Sequence, residues 1–474
     1  MTARRIRPMD IIVPEDDVFK NDLLSRRREI EVLSAMFTSL QKGPCVLAVD
    51  APWGYGKTTF IELCNHQLKK EKYHVIKFNA WENDFTDNPL ISLFAEFNRK
   101  IKSTIYDNRN KTSLNIKDVE NYERIKNNLT NLSVYSERII TTRTIFTSIS
   151  IGGMNMGIKS QTLKQLKNIS SDYNTYIKLK DQFNETLKSF SSNLYENNLV
   201  KRPLIIIIDE LDRCRPNYAI QFLEVIKHFF SVEHVIFILA INSSQLAHSI
   251  KAVYGQDFDA KGYLRRFFDI NFKLPNKNRK TFIRNILDNQ NITEYFNNHQ
   301  NKEVEDTGIK FANVLDVLYS FLGSSDLSLR QTSCSIHYLG LVFASLDENQ
   351  KPHILTTIVA LIFRTFESEL YHSFCQGQIS DARAIEAIAA HPGIRVLQNK
   401  EEWYIFVAIL ILSYYEINNV DPDQCATKID VEPVKNVVKR LLDQGKQHRL
   451  TIKELIGFRL SVNHIEMFVD INYP

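Results

Sequence analysis

The stretch Asp50-Ala-Pro-Trp-Gly-Tyr-Gly-Lys-Thr-Thr59 decides the fold class of this chain. It follows a short apolar run, Cys45–Asp50, of the kind that forms a strand buried on both faces. Residues 58–70 after it have the apolar spacing of an amphipathic helix. A glycine-rich turn between a buried strand and a helix, ending in Gly-Lys-Thr, predicts a phosphate-binding loop of the P-loop type.

The residue types in this loop fit a triphosphate. Gly54 and Gly56 let backbone N–H groups turn toward phosphate oxygens, and the helix N-terminus adds a partial positive charge. We expect the Lys57 ammonium to reach the β- and γ-phosphates and the Thr58 hydroxyl to bind Mg²⁺. The predicted nucleotide-binding residues are Pro52, Trp53, Gly54, Tyr55, Gly56, Lys57, Thr58 and Thr59.

The start of this loop departs from the usual pattern. Ala51 stands where the consensus of the motif has a glycine. Alanine resists positive φ, so the chain must enter the loop in an ordinary backbone conformation. Because the later glycines and the Gly-Lys-Thr core are kept, we expect the loop to tolerate the change. The alternative is a chance Gly-Lys-Thr at a helix start.

A second apolar run ends in two acids. Pro203-Leu-Ile-Ile-Ile-Ile-Asp209 is continuous and β-branched, and Glu210 follows it directly. We expect Asp209 to hold Mg²⁺, directly or through water, and Glu210 to polarise the water that attacks the γ-phosphate. An acid at a strand end is as often a plain terminator, so this assignment depends on the pairing with the phosphate-binding loop.

Four more polar residues are candidates for roles in hydrolysis. Asn242 ends the next predicted strand and could orient the attacking water, or it could simply terminate the strand. Arg265 or Arg266 could reach the γ-phosphate of a neighbouring subunit as an arginine finger, or form a surface basic pair. Arg330 begins a helix and could contact phosphate from a lid, or form a helix salt bridge.

The order of strands and helices gives the fold class. Strands predicted at 74–79 and 234–240 join the two already described, with helices at 218–230 and 243–253. This alternation predicts an α/β fold: a three-layer P-loop NTPase core whose parallel sheet has helices on both faces. After Pro275 the pattern is mostly helical, which predicts an all-α C-terminal region.

We expect five segments. They are the N-terminal helix with the first half of the core (1–100), a polar and partly helical insertion (101–200), the second half of the core (201–275), a helical lid (276–345) and a helical C-terminal domain (346–474).

Composition narrows the function classes. The net charge of +4 is too small to argue for nucleic acid, and the local basic run around 69–72 and 99–102 is typical of a solvated face. The apolar runs 145–158 and 404–415 are shorter than the ~20 residues that span a bilayer. The basic N-terminus lacks an apolar signal segment. We therefore expect a cytoplasmic protein without a membrane span.

The six cysteines and twelve histidines show no metal-ligand spacing. No Cys-x-x-Cys pair is present, and scattered cysteines in a chain of this size are mostly buried thiols. We expect no structural metal, and ATP with Mg²⁺ as the only cofactors.

Three motifs together make the chain resemble the KAP family of P-loop NTPases, named after its kinase-interacting and plasmid-exclusion members. The resemblance covers about residues 20–340. The motifs are Pro52-Trp-Gly-Tyr-Gly-Lys-Thr-Thr-Phe60, Phe78-Asn-Ala-Trp81 and Ile208-Asp-Glu-Leu-Asp-Arg-Cys-Arg-Pro216, with weaker matches at Gly262-Tyr-Leu-Arg-Arg-Phe-Phe268 and Leu327-Ser-Leu-Arg330.

The resemblance implies an additional-strand ATPase core shared with AAA+ and STAND proteins, in which the catalytic glutamate follows the magnesium aspartate. Glu210 fits that place, although many family members have aspartate there. The polar insertion, where many members have transmembrane helices, resembles the soluble prokaryotic branch. Some prokaryotic relatives act in exclusion of bacteriophage, so the resemblance implies a role in defence against phage or mobile elements, and ATP rather than GTP.

The motif residues carry further expectations. Asp212 and Arg213 could form a hydrogen-bonded pair that shapes the floor of the active site or a subunit contact, or they could form a plain ion pair at a helix start. We expect Trp53 to pack beside the phosphate loop and Trp81 to belong to the core. Cys214 is expected to be a packed thiol without a base to activate it.

Two readings of function remain open. One is an ATP-hydrolysing enzyme acting as a conformational switch or motor, with a homo-oligomer or a partner protein. The other is a nucleotide-gated scaffold that hydrolyses slowly or never. A small-molecule kinase is disfavoured because the long helical C-terminal region resembles a regulatory lid more than an acceptor pocket.

Overall fold

The computed structural model divides the chain into two units. One comprises Ile11–Asp22 and Arg26–Pro275, and the other comprises Met1–Asp10, Leu23–Ser25 and Asn276–Pro474. The structure describes residues 13–14, 16–40, 44–86, 88–89, 92–93, 95–97, 99–100, 127, 130, 174, 177–178, 180–182, 184–185, 187–188, 201–229, 232–298, 309, 311–346, 353–420 and 429–466. Most of the predicted insertion at 101–200 lies outside these residues.

The first unit is built on a five-stranded sheet in the order β2-β3-β4-β1-β5, with every pair of neighbours parallel. The strands are β1 (Cys45–Asp50), β2 (Tyr73–Asn79), β3 (Lys201–Asp209), β4 (Val235–Ile241) and β5 (Ile270–Lys273). Because all strands run the same way, the loops that leave their carboxyl ends meet at one edge of the sheet.

Helices cover both faces of this sheet, because alternate strand residues point to opposite sides. Ile205 and Ile207 pack with one apolar cluster, whereas Ile206 and Ile208 pack with another. The first cluster includes residues of α1 (Arg27–Ser39) and α2 (Lys57–Lys70); the second includes residues of α3 (Pro216–Phe229), α4 (Ser243–Tyr254) and α5 (Ala260–Leu264). The predicted three-layer α/β fold is confirmed.

The described part of the second unit is helical, as the sequence predicts. A single apolar cluster runs through it, from Ile283 to Ile465. Its helices include α6 (Arg279–Asn289), α7 (Phe311–Leu322), α8 (Leu329–Ser345), α9 (Ile354–Phe366), α10 (Ser368–Cys375), α11 (Asp381–Ala390), α12 (Pro392–Arg395), α13 (Glu401–Asn418), α14 (Glu432–Gln447), α15 (Ile452–Ile456) and α16 (Phe458–Glu466).

The apolar run 404–415 lies inside α13, most of which is buried. Within the described ranges, no helix combines the length and apolar character needed to cross a bilayer. In those ranges, no group of three or more His, Cys, Asp or Glu side chains could hold a metal ion.

Two features of the first unit differ from the sequence analysis. The edge strand β5 was not predicted, because its burial alternates over only four residues and gives a weak signal. Trp81 was predicted to be a core residue, and this is wrong: it lies in a short 3₁₀ turn, Trp81–Asn83, and 52% of its surface is exposed.

His74 of β2 should make the first unit sensitive to acid. Burial lowers its pKa from 6.5 to about 4, with the charge of Lys69 as the second cause. Below about pH 6.5, His74 is protonated in the unfolded chain but stays neutral in the folded chain. The free energy of unfolding therefore decreases as the pH falls from about 6.5 to 4. The loss should reach about 3 kcal/mol.

The check is thermal unfolding between pH 7.5 and about pH 4.5. The His74→Gln variant should lose less stability across this range than the native chain. His66→Gln changes a partly exposed histidine of the same unit and serves as the matched control. Equal acid sensitivity of the native chain and His74→Gln would contradict the prediction.

Candidate functional site

The glycine-rich loop joins β1 to α2 in the geometry that phosphate binding needs. Gly54 and Gly56 have φ values of 76° and 80°, in the left-handed region that favours glycine. Ala51 lies just past β1 and is still bonded to β4, because its N–H donates to the carbonyl of Ile241 at 3.1 Å. The backbone therefore turns only after Ala51, at the two glycines that the sequence retains.

Lys57 is the first residue of α2 and is buried, with 9% of its surface exposed. Its Nζ donates to the carbonyl of Ala51 at 2.7 Å and lies 3.8 Å from a carboxylate oxygen of Asp212. Burial lowers the pKa of Lys57, and the negative charges of Asp212, Asp209 and Asp50 oppose that change in this order. The structure thus places the lysine of the loop among carboxylates from β3, β1 and the turn after β3.

Asp209 ends β3 and is almost fully buried, with 3% of its surface exposed. Burial raises its pKa to about 6, while the charge of Lys77 acts in the opposite direction. A bound cation would favour the ionised form. Thr58, exposed at the start of α2, supplies a hydroxyl, so the donor set is oxygen. Mg²⁺ prefers oxygen ligands and is commonly held by one or two protein groups together with phosphates and water.

Glu210 follows Asp209 in a left-handed conformation, with φ 61°. One carboxylate oxygen lies 3.1 Å from the guanidinium of Arg213, and the other accepts from the side-chain amide of Asn79 at 3.2 Å. The Asn79 amide also donates to Glu82 at 2.9 Å. Glu210 is therefore held by two side chains, one from the end of β2 and one from the turn after β3.

Asn79 is a site residue that the sequence analysis did not single out. It ends β2 and lies inside the quoted run Phe78-Asn-Ala-Trp81. The register of the sheet pairs Asn79 with Asp209 across β2 and β3. A polar residue at the end of a strand could have indicated this site residue. The sequence does not show that this strand is the neighbour of β3, so the strand order was also needed.

Asn242 follows β4, the strand that lies between β1 and β3. Its side-chain oxygen accepts from the backbone N–H of Gln245 at 3.3 Å and so caps α4. Next to it, Ser243 donates from both its backbone N–H and its hydroxyl to Asp50, at 2.9 and 2.6 Å. Asn242 is thus placed at the carboxyl edge of the sheet and has a structural contact there.

Asp212 and Arg213 bind different partners. Asp212 accepts from the indole N–H of Trp53 at 2.5 Å, which ties the turn after β3 to the phosphate loop. The Arg213 guanidinium lies over the Trp81 ring, 5.4 Å from its centre, besides its contact with Glu210. The expected Asp212–Arg213 pair is therefore replaced by one contact to the loop after β1 and another to the turn after β2.

Arg215 and Cys214 complete the turn after β3. Arg215 donates from its backbone N–H and from Nε to the two carboxylate oxygens of Asp84, at 2.7 and 2.6 Å. This fixes the chain that follows Trp81. Cys214 is buried, and burial raises the pKa of its thiol, as expected of a packed and unreactive cysteine.

The candidate arginines of the first unit do not join this edge of the sheet. Arg265 and Arg266 are exposed and lie just before β5, where Asp269 bonds to Val46 near the start of β1. They are therefore at the amino edge, whereas the phosphate loop is at the carboxyl edge. Arg330 is exposed in the first turn of α8, in the helical unit.

Fold and site together define the class of protein. A parallel sheet with a glycine-rich loop after β1, two acids after β3 and the additional strand β4 between them is a P-loop NTPase core. Residues 26–345 match the model of the KAP family P-loop domain. This span exceeds half of the chain, and the chain belongs to the KAP family of P-loop domains.

Two solved structures are similar to the chain at low identity. The Aeropyrum pernix ORC2 protein (ADPNP-ADP complexes) matches at 12% identity over 94% of this chain and 86% of that chain, with a TM-score of 0.28. AMPPCP-bound DnaA from Aquifex aeolicus matches at 13% identity over 93% and 94%, with a TM-score of 0.30. A search of curated proteins found no match.

Proposed function

We propose that the chain is an Mg²⁺-dependent ATPase that uses nucleotide binding and hydrolysis as a conformational switch. Membership of a P-loop family supports nucleotide binding. One observation supports hydrolysis in addition to binding. Lys57 lies among carboxylates that include Asp209, and Glu210 directly follows Asp209 in the chain. A phosphate grip, a metal carboxylate and a second acid at one edge of the sheet are the parts that phosphoryl transfer to water requires.

Each side chain has a defined task in this proposal. Lys57 exchanges the carbonyl of Ala51 for phosphate oxygens, which keeps its ammonium hydrogen-bonded throughout. Thr58 and Asp209 hold Mg²⁺, which when bound offsets the charge that develops on the β- and γ-oxygens. Glu210 takes a proton from the attacking water.

Glu210 first has to leave its present partners. Its two carboxylate oxygens are engaged by Asn79 and Arg213. A general base needs a carboxylate oxygen within hydrogen-bond reach of the attacking water. In our proposal the described conformation is the resting state, and release of Glu210 accompanies the switch.

Steady-state phosphate release from ATP in the presence of Mg²⁺ tests the proposal. Turnover that requires Mg²⁺ supports it, and the same assay with GTP measures base preference. Tight ATP binding without turnover would instead support the nucleotide-gated scaffold. The engaged state of Glu210 is the observation that favours this second reading.

The positions of Arg265 and Arg266 bear on assembly. Because they lie at the sheet edge opposite the phosphate loop, an arginine finger from this pair would act on a neighbouring copy of the chain. We expect ATP with Mg²⁺ to increase the size of the particle in solution, as measured by light scattering. An unchanged size with bound nucleotide would remove these residues from the mechanism.

The cellular setting extends the proposal. Family resemblance suggests a cytoplasmic protein that acts against phage or other mobile elements. If so, cells that express the native chain should resist infection, and cells that express Lys57→Ala should not. Equal plating of phage on both would reject this setting and leave the ATPase proposal standing.

A further inference from the structure

Asp212 is an acid beside the phosphate loop that the proposed function does not use. It lies three residues after Asp209 in the chain, and only 2% of its side chain is exposed. One of its carboxylate oxygens, Oδ2, accepts from the indole N–H of Trp53 at 2.5 Å. The same oxygen lies 3.8 Å from the ammonium of Lys57. Two residues of the phosphate loop therefore share a single oxygen of this acid.

The turn that carries Asp212 is fixed, whereas the lysine is not. Leu211, the residue before Asp212, is fully buried in the apolar cluster on one face of the sheet. Three residues after Asp212, Arg215 donates to both carboxylate oxygens of Asp84, at 2.7 and 2.6 Å. Lys57 has a flexible four-carbon side chain. When a ligand enters the loop, Lys57 can move and Asp212 stays in place.

The fixed carboxylate competes with phosphate oxygens for Lys57. Burial lowers the pKa of Lys57, and Asp212 opposes this change more strongly than Asp209 or Asp50 does. To reach the β- and γ-phosphates, the ammonium has to turn away from Asp212. A buried carboxylate that loses its cation and keeps no other donor is strongly destabilised. The indole N–H of Trp53 removes that penalty, because it remains bonded to Asp212 when the lysine moves.

We propose that Asp212 and Trp53 together set the affinity of the phosphate loop for nucleotides and the rate at which product leaves it. This rests on the proposed function, because it takes the loop as the nucleotide site. Asp212 is a positioning residue that holds Lys57 in the empty loop and takes it back as the nucleotide leaves. Trp53 keeps the carboxylate hydrogen-bonded while Lys57 contacts phosphate. Asp212 therefore weakens nucleotide binding, and its bond to Trp53 strengthens it.

The first test is the affinity and dissociation rate of a fluorescent ADP analogue, measured on the full chain with Mg²⁺ by titration and stopped flow. Asp212→Asn should bind the analogue about tenfold more tightly and release it about tenfold more slowly, since no ion pair to Lys57 has to break. The amide oxygen of asparagine still accepts from Trp53. Asp257→Asn removes the same charge at an exposed position after α4 and should behave as the native chain.

The second test removes the indole donor. Trp53→Phe keeps an aromatic ring but loses the N–H, so it should weaken binding of the ADP analogue about tenfold. Trp81→Phe is the same change at the exposed ring in the turn after β2, and it should bind normally. A direct contact of Trp53 with the nucleotide would act whatever residue 212 is. Because we assign the effect to the charge of Asp212, Trp53→Phe should change affinity by less than about threefold in the Asp212→Asn background.

The results separate this inference from the proposed function. Unchanged or weaker ADP binding by a cooperatively unfolding Asp212→Asn chain would overturn the inference. So would native affinity in Trp53→Phe, or a full tenfold loss from Trp53→Phe in the Asp212→Asn background. A native chain that does not bind the analogue would overturn nucleotide binding itself. A chain that binds it with the expected variant effects but does not hydrolyse ATP would reject the ATPase and support the inference.

Discussion

Glu210→Gln is expected to reduce ATP turnover by about 10²–10⁴-fold while leaving nucleotide binding intact. Glutamine keeps the size of the side chain, but it cannot take a proton from water. It can still accept a hydrogen bond from Asn79, so the turn after β3 should keep its conformation. Phosphate release measures turnover, and titration with a fluorescent ATP analogue measures binding.

The control for Glu210→Gln is Glu31→Gln, the same change at an exposed position of α1 that pairs with Arg27 of the same helix. Its turnover should equal that of the native chain. If Glu210→Gln hydrolyses ATP at the native rate, Glu210 is not the general base. If the native chain itself shows no turnover, the chain is a nucleotide-gated scaffold. That result differs from a Glu210→Gln chain that hydrolyses ATP at the native rate, so the two outcomes can be told apart.

Lys57→Ala is expected to weaken ATP binding by about 10–100-fold, because it removes charge-assisted hydrogen bonds to the phosphates. The lysine is buried at the helix start and is already hydrogen-bonded to backbone carbonyls of the loop. Alanine would leave the nearby carboxylates of Asp209 and Asp212 without this cation. Calorimetric titration with a non-hydrolysable ATP analogue measures the loss.

Lys70→Ala, which changes an exposed lysine in the last turn of the same helix, should bind the analogue normally. Unfolding temperatures of both variants show whether the fold is retained. Native affinity in a folded Lys57→Ala chain would mean that the loop is not the phosphate site.

The sequence was most informative where each residue type has one physical reason to be there. The apolar run before Asp209 predicted a strand buried on both faces. Residues 204–208 of β3 are indeed all buried. Gly54 and Gly56 are required by positive φ. These local signals suffice for the α/β class and for the two segments that meet at the candidate site.

Other parts of the site depend on which strands are neighbours, and one sequence does not contain that information directly. The role of Asn79 follows only from the pairing of β2 with β3. The placement of Arg265 and Arg266 at the opposite edge follows from the parallel direction of β5. Trp81 was misjudged because an aromatic after a strand is usually core, whereas here Arg213 covers one side of an exposed ring.

The strand order has a consequence for how the chain is made. Both neighbours of β1 in the sheet, β4 and β5, are encoded near the middle of the chain, long after β1 itself. At synthesis rates of about 5–20 residues per second, β1 emerges from the ribosome roughly ten seconds or more before either neighbour. The nascent phosphate loop is therefore without its sheet during that interval, and chaperones that shield apolar segments would have their greatest effect there.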